Sequence, residues 1–204
     1  MTSTKDRFAA DRYAVVRGLV HARACAFLYH YVTGLAQHGR LVTGDEQVPD
    51  TPCRYADPLV ESLLLKLQPR IEAECGLSLH PTYSYFRVYK HGDHLPRHSD
   101  RPSCEISVTL NLGQQAAAPW AIWVQPGIEA IAVDLAPGDG MLYRGTEVPH
   151  WRDSFAGECI AQVFLHYVDQ DGPCMEWKFD KRVGPGNTPH ADAIMQKLLA
   201  QPGA

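Results

Sequence analysis

The hydrophobic period of this chain changes once, near Gly76, and that change restricts the possible folds more than any other feature. Before it the spacing is helical. Ala24 to Gln37 carries Phe27, Leu28, Tyr31, Val32 and Leu35, the i, i+1, i+4, i+5, i+8 stripe of an amphipathic helix. His30 and His38 fall off this stripe and read as surface residues. Asp57-Pro58 is a helix start, a capping side chain followed by proline at the first helical position, and the Leu-rich run Leu59 to Leu67 follows it. Pro69 predicts a kink or a restart before Gly76 ends the helix. Tyr13 to Val20 reads as a short strand, and Gly39 to Arg54 as a loop.

After Gly76 the period is two. Tyr83, Tyr85, Arg87 and Tyr89 share one face of a strand, with Phe86 and Val88 on the other. Ile106, Val108, Leu110 and Leu112 alternate with Ser107, Thr109 and Asn111. Further strands are expected at 121–125, 129–133, 140–144, 148–152 and 159–168, with Pro137-Gly-Asp139 as a turn. The pattern predicts a mainly β fold with supporting helices, an antiparallel barrel or sandwich whose helices cover one outer face. The expected organisation is one structural domain: residues 1–76 pack on the core, 77–170 form it, and 171–204 extend it, with a short helix near Ala191–Leu199.

Composition removes several classes. A chain of 204 residues with 45% hydrophobic and 21% charged residues is long enough for a sizeable core. Its net charge of −4 offers no single-sign field for nucleic acid or anionic lipid, and no run approaches a membrane span. The polar N-terminus lacks the apolar stretch of a secretory signal, and the six scattered cysteines form no C-x-x-C pair, so reduced thiols in a cytoplasmic protein are expected.

Ten histidines among twenty-three acidic residues should yield about one His-x-Asp/Glu by chance, however metal sites are spaced. Three occur, at His91-Gly-Asp93, His98-Ser-Asp100 and His190-Ala-Asp192. At the start of a strand, residues i and i+2 point to the same side, so such a pair can offer two ligands to one ion. His190 lies in a helical pattern in the tail, and His91 in the loop Lys90–His94. His98-Ser-Asp100 leads toward a well-patterned strand and is the best pair. His150, in Val148-Pro-His-Trp-Arg152, is the natural third ligand of a 2-His-1-carboxylate site, while His166 reads as a packing or hydrogen-bonding residue. On spacing alone the metal site and a set of ordinary histidines are balanced.

Tyr89-Lys-His-Gly-Asp-His-Leu-Pro-Arg-His-Ser-Asp100 resembles the Y-x-x-G-D-x-L-x-x-H-x-D signature of the prolyl-4-hydroxylase-like branch of the Fe(II)/2-oxoglutarate dioxygenases. The Ile106–Leu112 strand, the Pro-Gly-Asp turn and the distal His150 follow in similar order over roughly Tyr83 to Val168. The resemblance implies a double-stranded β-helix, that is, a jelly-roll, cupin-like core. It implies Fe(II) held by His98, Asp100 and His150, with 2-oxoglutarate and O2 as cosubstrates, and it raises ascorbate as an accessory reductant. The implied activity is hydroxylation of an unactivated C–H bond with release of succinate and CO2. The implied partner is a peptidyl proline or a small amino-acid-like molecule. Tyr89 would contact 2-oxoglutarate.

One departure stands out. The family anchors the far carboxylate of 2-oxoglutarate with Arg or Lys about ten residues beyond the distal His, but Gly157-Glu-Cys-Ile-Ala-Gln162 contains no basic residue. A dianion buried without a cation would be costly. Arg152, two residues after His150 on the same strand face, is the expected replacement, and Arg87 is second. Thr109 or Asn111 could add a hydrogen bond, Arg144 could face the substrate, Trp120, Trp123 and Trp151 could rim the opening, and the 39–54 loop could be a lid. Two other readings compete: a cupin-like metal protein without 2-oxoglutarate, and a non-catalytic barrel acting as sensor or interaction module.

Overall fold

A computed structural model describes residues 3–186. Ser3 opens helix α1 (Thr4–Asp11) through a capping box with Asp6. Strand β1 (Tyr13–Val16) follows, shorter than expected because the chain turns at Gly18, whose φ is +57°. Helix α2 spans Ala22–Gln37 and buries Cys25, Leu28 and Val32. Phe27, expected on the buried stripe, is 62% exposed, so the apolar face is narrower than the sequence suggests. The 39–54 segment contains β2 (Val42–Thr43) and the start of β3 (Pro52–Tyr55).

Helix α3 (Pro58–Cys75) begins where expected, with the Asp57 carboxylate accepting from the amides of Leu59 and Val60. It does not break at Pro69. Proline removes the bond to the carbonyl four residues back, and here both Pro69 and Leu65 face solvent, where water can satisfy that carbonyl. Val60, Leu64, Leu67, Ile71 and Cys75 remain buried on the other side of the helix. Each large aliphatic side chain so buried contributes about 1.5–3 kcal/mol, which outweighs one lost bond. Gly76 ends the helix with φ +75°.

The remaining strands are β4 (Leu79–Lys90), β5 (Leu95–His98), β6 (Ile106–Gln115), β7 (Ile122–Val124), β8 (Ile131–Val133), β9 (Gly140–Arg144), β10 (His150–Arg152) and β11 (Cys159–Asp169). Among the described residues they form two antiparallel sheets, ordered β1-β9-β6-β11-β4-β3-β2 and β5-β10-β7-β8. This two-sheet, jelly-roll arrangement agrees with the expected fold. Three strands of the large sheet come from the N-terminal region, which thus packs on the core and also extends its sheet.

On one face of the large sheet Phe86, Val108, Leu110, Val163 and Leu165 join Leu28, Val32, Leu64 and Ile71 in a single apolar core. The opposite face carries polar and aromatic side chains, which nonetheless are buried. Buried polar groups need partners, and that face is where the site lies. The six cysteines are free thiols, four of them buried. Among the described residues no helix is long and apolar enough to cross a membrane. The helix expected near Ala191–Leu199, and His190, lie outside the described residues.

Candidate metal centre and its cavity

Strand pairing brings the two histidines together. In the antiparallel pair of β5 and β10, His98 stands directly opposite His150. Their rings are 4.3 Å apart between centroids. Asp100 follows two residues after the end of β5, rather than at the start of a strand as expected, and its amide is held by the Gly145 carbonyl at 2.8 Å. Gly145 is required there: a Cβ would run into the Asp100 carboxylate and the Cys104 carbonyl.

One oxygen of Asp100, Oδ1, lies 3.5 Å from His98 Nε2 and 3.6 Å from His150 Nε2. The three ligand atoms fall within 4.8 Å of one another. Each imidazole is aimed from behind: His98 Nδ1 lies 2.8 Å from the Pro96 carbonyl and His150 Nδ1 2.9 Å from the Val148 carbonyl. A carbonyl only accepts, so Nδ1 carries the proton and Nε2 of the neutral ring presents a lone pair. Two imidazole lone pairs and a carboxylate therefore converge, an arrangement that calls for a cation. Burial disfavours charge on both rings. At His98 the Asp100 carboxylate outweighs burial and holds the pKa above its ordinary value, whereas at His150 burial prevails and the pKa is lowered. Burial alone would push Asp100 up, but hydrogen bonding to His98 and the neighbouring imidazoles hold it below the usual carboxylate range.

The three side chains open on a cavity of about 450 Å³. Tyr83, Tyr85, Arg87 and Tyr89, the inward face of β4 read from the sequence, form one wall. Phe164 and His166 of β11 continue it. Asp45, Glu46 and Gln47 of the 39–54 segment line it as well. Asp45 accepts from the amides of Gln47 and Val48, and its other oxygen takes the Tyr85 hydroxyl at 2.8 Å and the guanidinium of Arg87. Arg87 Nη1 donates to the Tyr89 hydroxyl at 3.3 Å.

Arg152 is 2% exposed and is not itself part of the cavity wall. It lies beside Tyr89 and Tyr143, which are, and over the Trp120 ring at 4.7 Å. Nη1 donates to the Trp120 carbonyl at 2.6 Å, Nη2 reaches Gln162 Oε1 at 3.4 Å, and Nε has no partner among the described residues. Burial without an anion lowers its pKa to about 10. Gln162, twelve residues beyond His150, also receives the Thr109 hydroxyl at 3.4 Å.

Several expected contributors are engaged elsewhere. Asn111 donates to the Leu135 carbonyl at 2.7 Å and accepts from the Gly113 amide at 3.0 Å, and it lines no part of the cavity. Its amide braces the β6 backbone at Gly113 against the segment after β8 at Leu135, and is engaged there rather than in the contact with cosubstrate expected of it. Arg144 pairs with Glu147 at 3.5 Å, away from the cavity. Trp123 and Trp151 stack on each other, and Trp120 packs on Tyr89 and Phe155; none of the three lines the cavity. Sequence reasoning missed Ser107 and Gly145 as site residues. Ser107 carried a signal, an inward serine on the strand after the metal-ligand pair.

No family model matches this chain, and no curated protein matches it. Solved structures do. A prolyl-4-hydroxylase from Pseudomonas putida matches at TM-score 0.66 and 16% identity, covering 80% of this chain and 96% of its own. A prolyl hydroxylase from Trichoplax adhaerens, solved with a hypoxia inducible factor peptide fragment, matches at 0.68 and 14%, covering 82% and 88%. The epimerase SnoN, solved with Fe3+, alpha ketoglutarate and nogalamycin RO, matches at 0.69 and 16%, covering 91% of each chain. The likeness is one of fold, and it is the double-stranded β-helix that the signature segment implied.

Proposed function

We propose that this chain is an Fe(II)- and 2-oxoglutarate-dependent dioxygenase that hydroxylates an unactivated C–H bond of a small, amino-acid-like substrate. The observation that carries the reading is the convergence of His98 Nε2, His150 Nε2 and Asp100 Oδ1 at the cavity wall, all within 4.8 Å of one another. The donor set, two imidazoles and one carboxylate, fits a ferrous ion. Bound there, the ferrous ion with 2-oxoglutarate and dioxygen supplies the oxidising power for C–H hydroxylation, with succinate and carbon dioxide released.

The chain's own residues supply binding and orientation. Backbone carbonyls at Pro96 and Val148 fix both imidazole tautomers. Arg152, a buried cation that faces no carboxylate among the described residues, answers the far carboxylate of 2-oxoglutarate, and Thr109 and Gln162 add hydrogen-bonding capacity beside it. That unmatched charge favours the oxygenase over a cupin-like metal protein that uses no dianionic cosubstrate. Tyr89 accepts from Arg87, which leaves its own proton available to the cosubstrate. Tyr83, Tyr85 and Phe164 give the substrate apolar walls, and Glu46 with the Arg87–Asp45 and Arg101–Asp180 ion pairs gives the cavity polar groups that a small zwitterion could engage. Residues 45–47 narrow a cavity of about 450 Å³ from one side, which favours a small substrate over a long peptide.

The test is anaerobic addition of Fe(II) and then 2-oxoglutarate to the metal-free protein, followed by admission of air. The expected results are a visible charge-transfer band that needs both additions, and succinate that forms only after oxygen enters. Iron binding without the band would return the chain to the cupin-like reading, and no iron binding would return it to the non-catalytic one.

A further inference from the structure

The two oxygens of Asp100 keep different company. Oδ1 faces the two imidazoles, while Oδ2 lies 3.1 Å from the hydroxyl of Ser107. Ser107 is fully buried, and its oxygen is also 2.9 Å from the Cys104 carbonyl and 2.9 Å from His166 Nδ1. The hydroxyl has one proton. Asp100 Oδ2 and the Cys104 carbonyl can only accept, so the Ser107 oxygen is best satisfied when His166 Nδ1 carries the ring proton and donates to it. The serine proton goes to whichever acceptor binds it more strongly, and that is the carboxylate. In that tautomer His166 Nδ1–H donates to Ser107 Oγ, and Ser107 Oγ–H donates to Asp100 Oδ2. The Tyr83 ring, 4.6 Å from that of His166, holds the imidazole in the plane this chain needs.

We infer that Ser107 and His166 are positioning residues for the metal, holding Asp100 so that it binds through Oδ1 alone. The inference rests on the metal reading given above and goes beyond it. A carboxylate with both oxygens free can swing to bind through two, taking a coordination position that the cosubstrates need. Hydrogen bonding at Oδ2 opposes that swing. His166 acts at one remove, because without its N–H the serine hydroxyl can turn to the Cys104 carbonyl and leave Oδ2 free. Asp100 and Ser107, seven residues apart, meet the distant His166 because Ser107 of β6 stands opposite His166 of β11 in register.

The test compares metal-free wild type, Ser107→Ala, His166→Leu and His166→Asn in anaerobic titration with Co(II), read by visible absorption, alongside melting curves without metal. Asn can present an N–H near the Nδ1 position, and Leu cannot. The expected result is Co(II) affinity lowered about 10–100-fold in S107A and H166L, with a weaker visible band as the coordination number rises. H166N should keep the wild-type affinity and band. Wild-type affinity and spectrum in S107A would overturn the inference, and so would H166N behaving like H166L. S107A removes a single oxygen and decides the matter if H166L loses its fold. Failure of the wild type to take up Co(II) is a different outcome, and it would remove the metal reading itself.

Discussion

Arg152 Nη2 meets Gln162 Oε1 at 3.4 Å, so a buried guanidinium rests against a neutral amide. Removing one partner of a buried charge pair costs roughly 2 kcal/mol or more, about a 30-fold change. Arg152→Met should therefore weaken 2-oxoglutarate binding about 30-fold or more, read from the Fe(II) charge-transfer band, while iron affinity holds. Without cosubstrate the variant should melt no lower than wild type, because the substitution deletes an unmatched buried charge. Unchanged cosubstrate affinity would show that Arg152 is the wrong anchor.

Tyr89→Phe should raise the 2-oxoglutarate concentration needed for half-saturation by about 10-fold or more, the scale of one hydrogen bond to a charged group. The ring stays against Trp120, so the melting temperature should hardly move. A lowered melting point with normal 2-oxoglutarate affinity would make Tyr89 a packing residue only.

Asp45→Ala removes the acceptor for the amides of Gln47 and Val48 and the anchor on Arg87 and Tyr85. Amide hydrogen exchange over residues 45–48 should quicken about fivefold or more, as expected from ~1 kcal/mol per lost bond. Exchange that stays at the wild-type rate would mean the segment is held by something other than this carboxylate.

Asp139 couples acid stability to the turn before β9. Burial would raise its pKa, but the Gly18 and Ala136 amides and the Arg17 guanidinium outweigh it and hold the carboxyl below its usual range. A carboxylate depressed in the folded state adds stability above its unfolded pKa of about 3.9. That contribution disappears as the pH falls through the lower, folded value. Asp139→Asn should cost about 1–3 kcal/mol at pH 7, with the gap to wild type narrowing toward pH 3. Urea unfolding at the two pH values measures this. A gap of equal size at both would sink the assignment.

What could be read in advance was local. The β4 alternation placed Tyr83, Tyr85, Arg87 and Tyr89 on one face because the side-chain period of a strand is two. Asp57-Pro58 announced α3 because capping is a matter of neighbouring residues. Pro69 misled because a proline's effect depends on which side of the helix faces water, a tertiary property. The capping box that starts α1 is local as well, Ser3 and Asp6 standing three residues apart. Asn111 was assigned by its inward face alone, and only the fold reveals that the Leu135 carbonyl claims it. Ser107 acquires its role from the register between β6 and β11, which no periodicity encodes.

Both outer strands of the large sheet come from the first fifty-five residues, β1 against β9 on one side and β2 beyond β3 on the other. Each is brief, four residues and two. Short borders of this kind deny a neighbouring molecule a long ribbon of free amides and carbonyls to pair with. Loss of the leading segment would uncover β9, and the freshly bared strand would become a template for self-association well before the cluster of His98, Asp100 and His150 was disturbed.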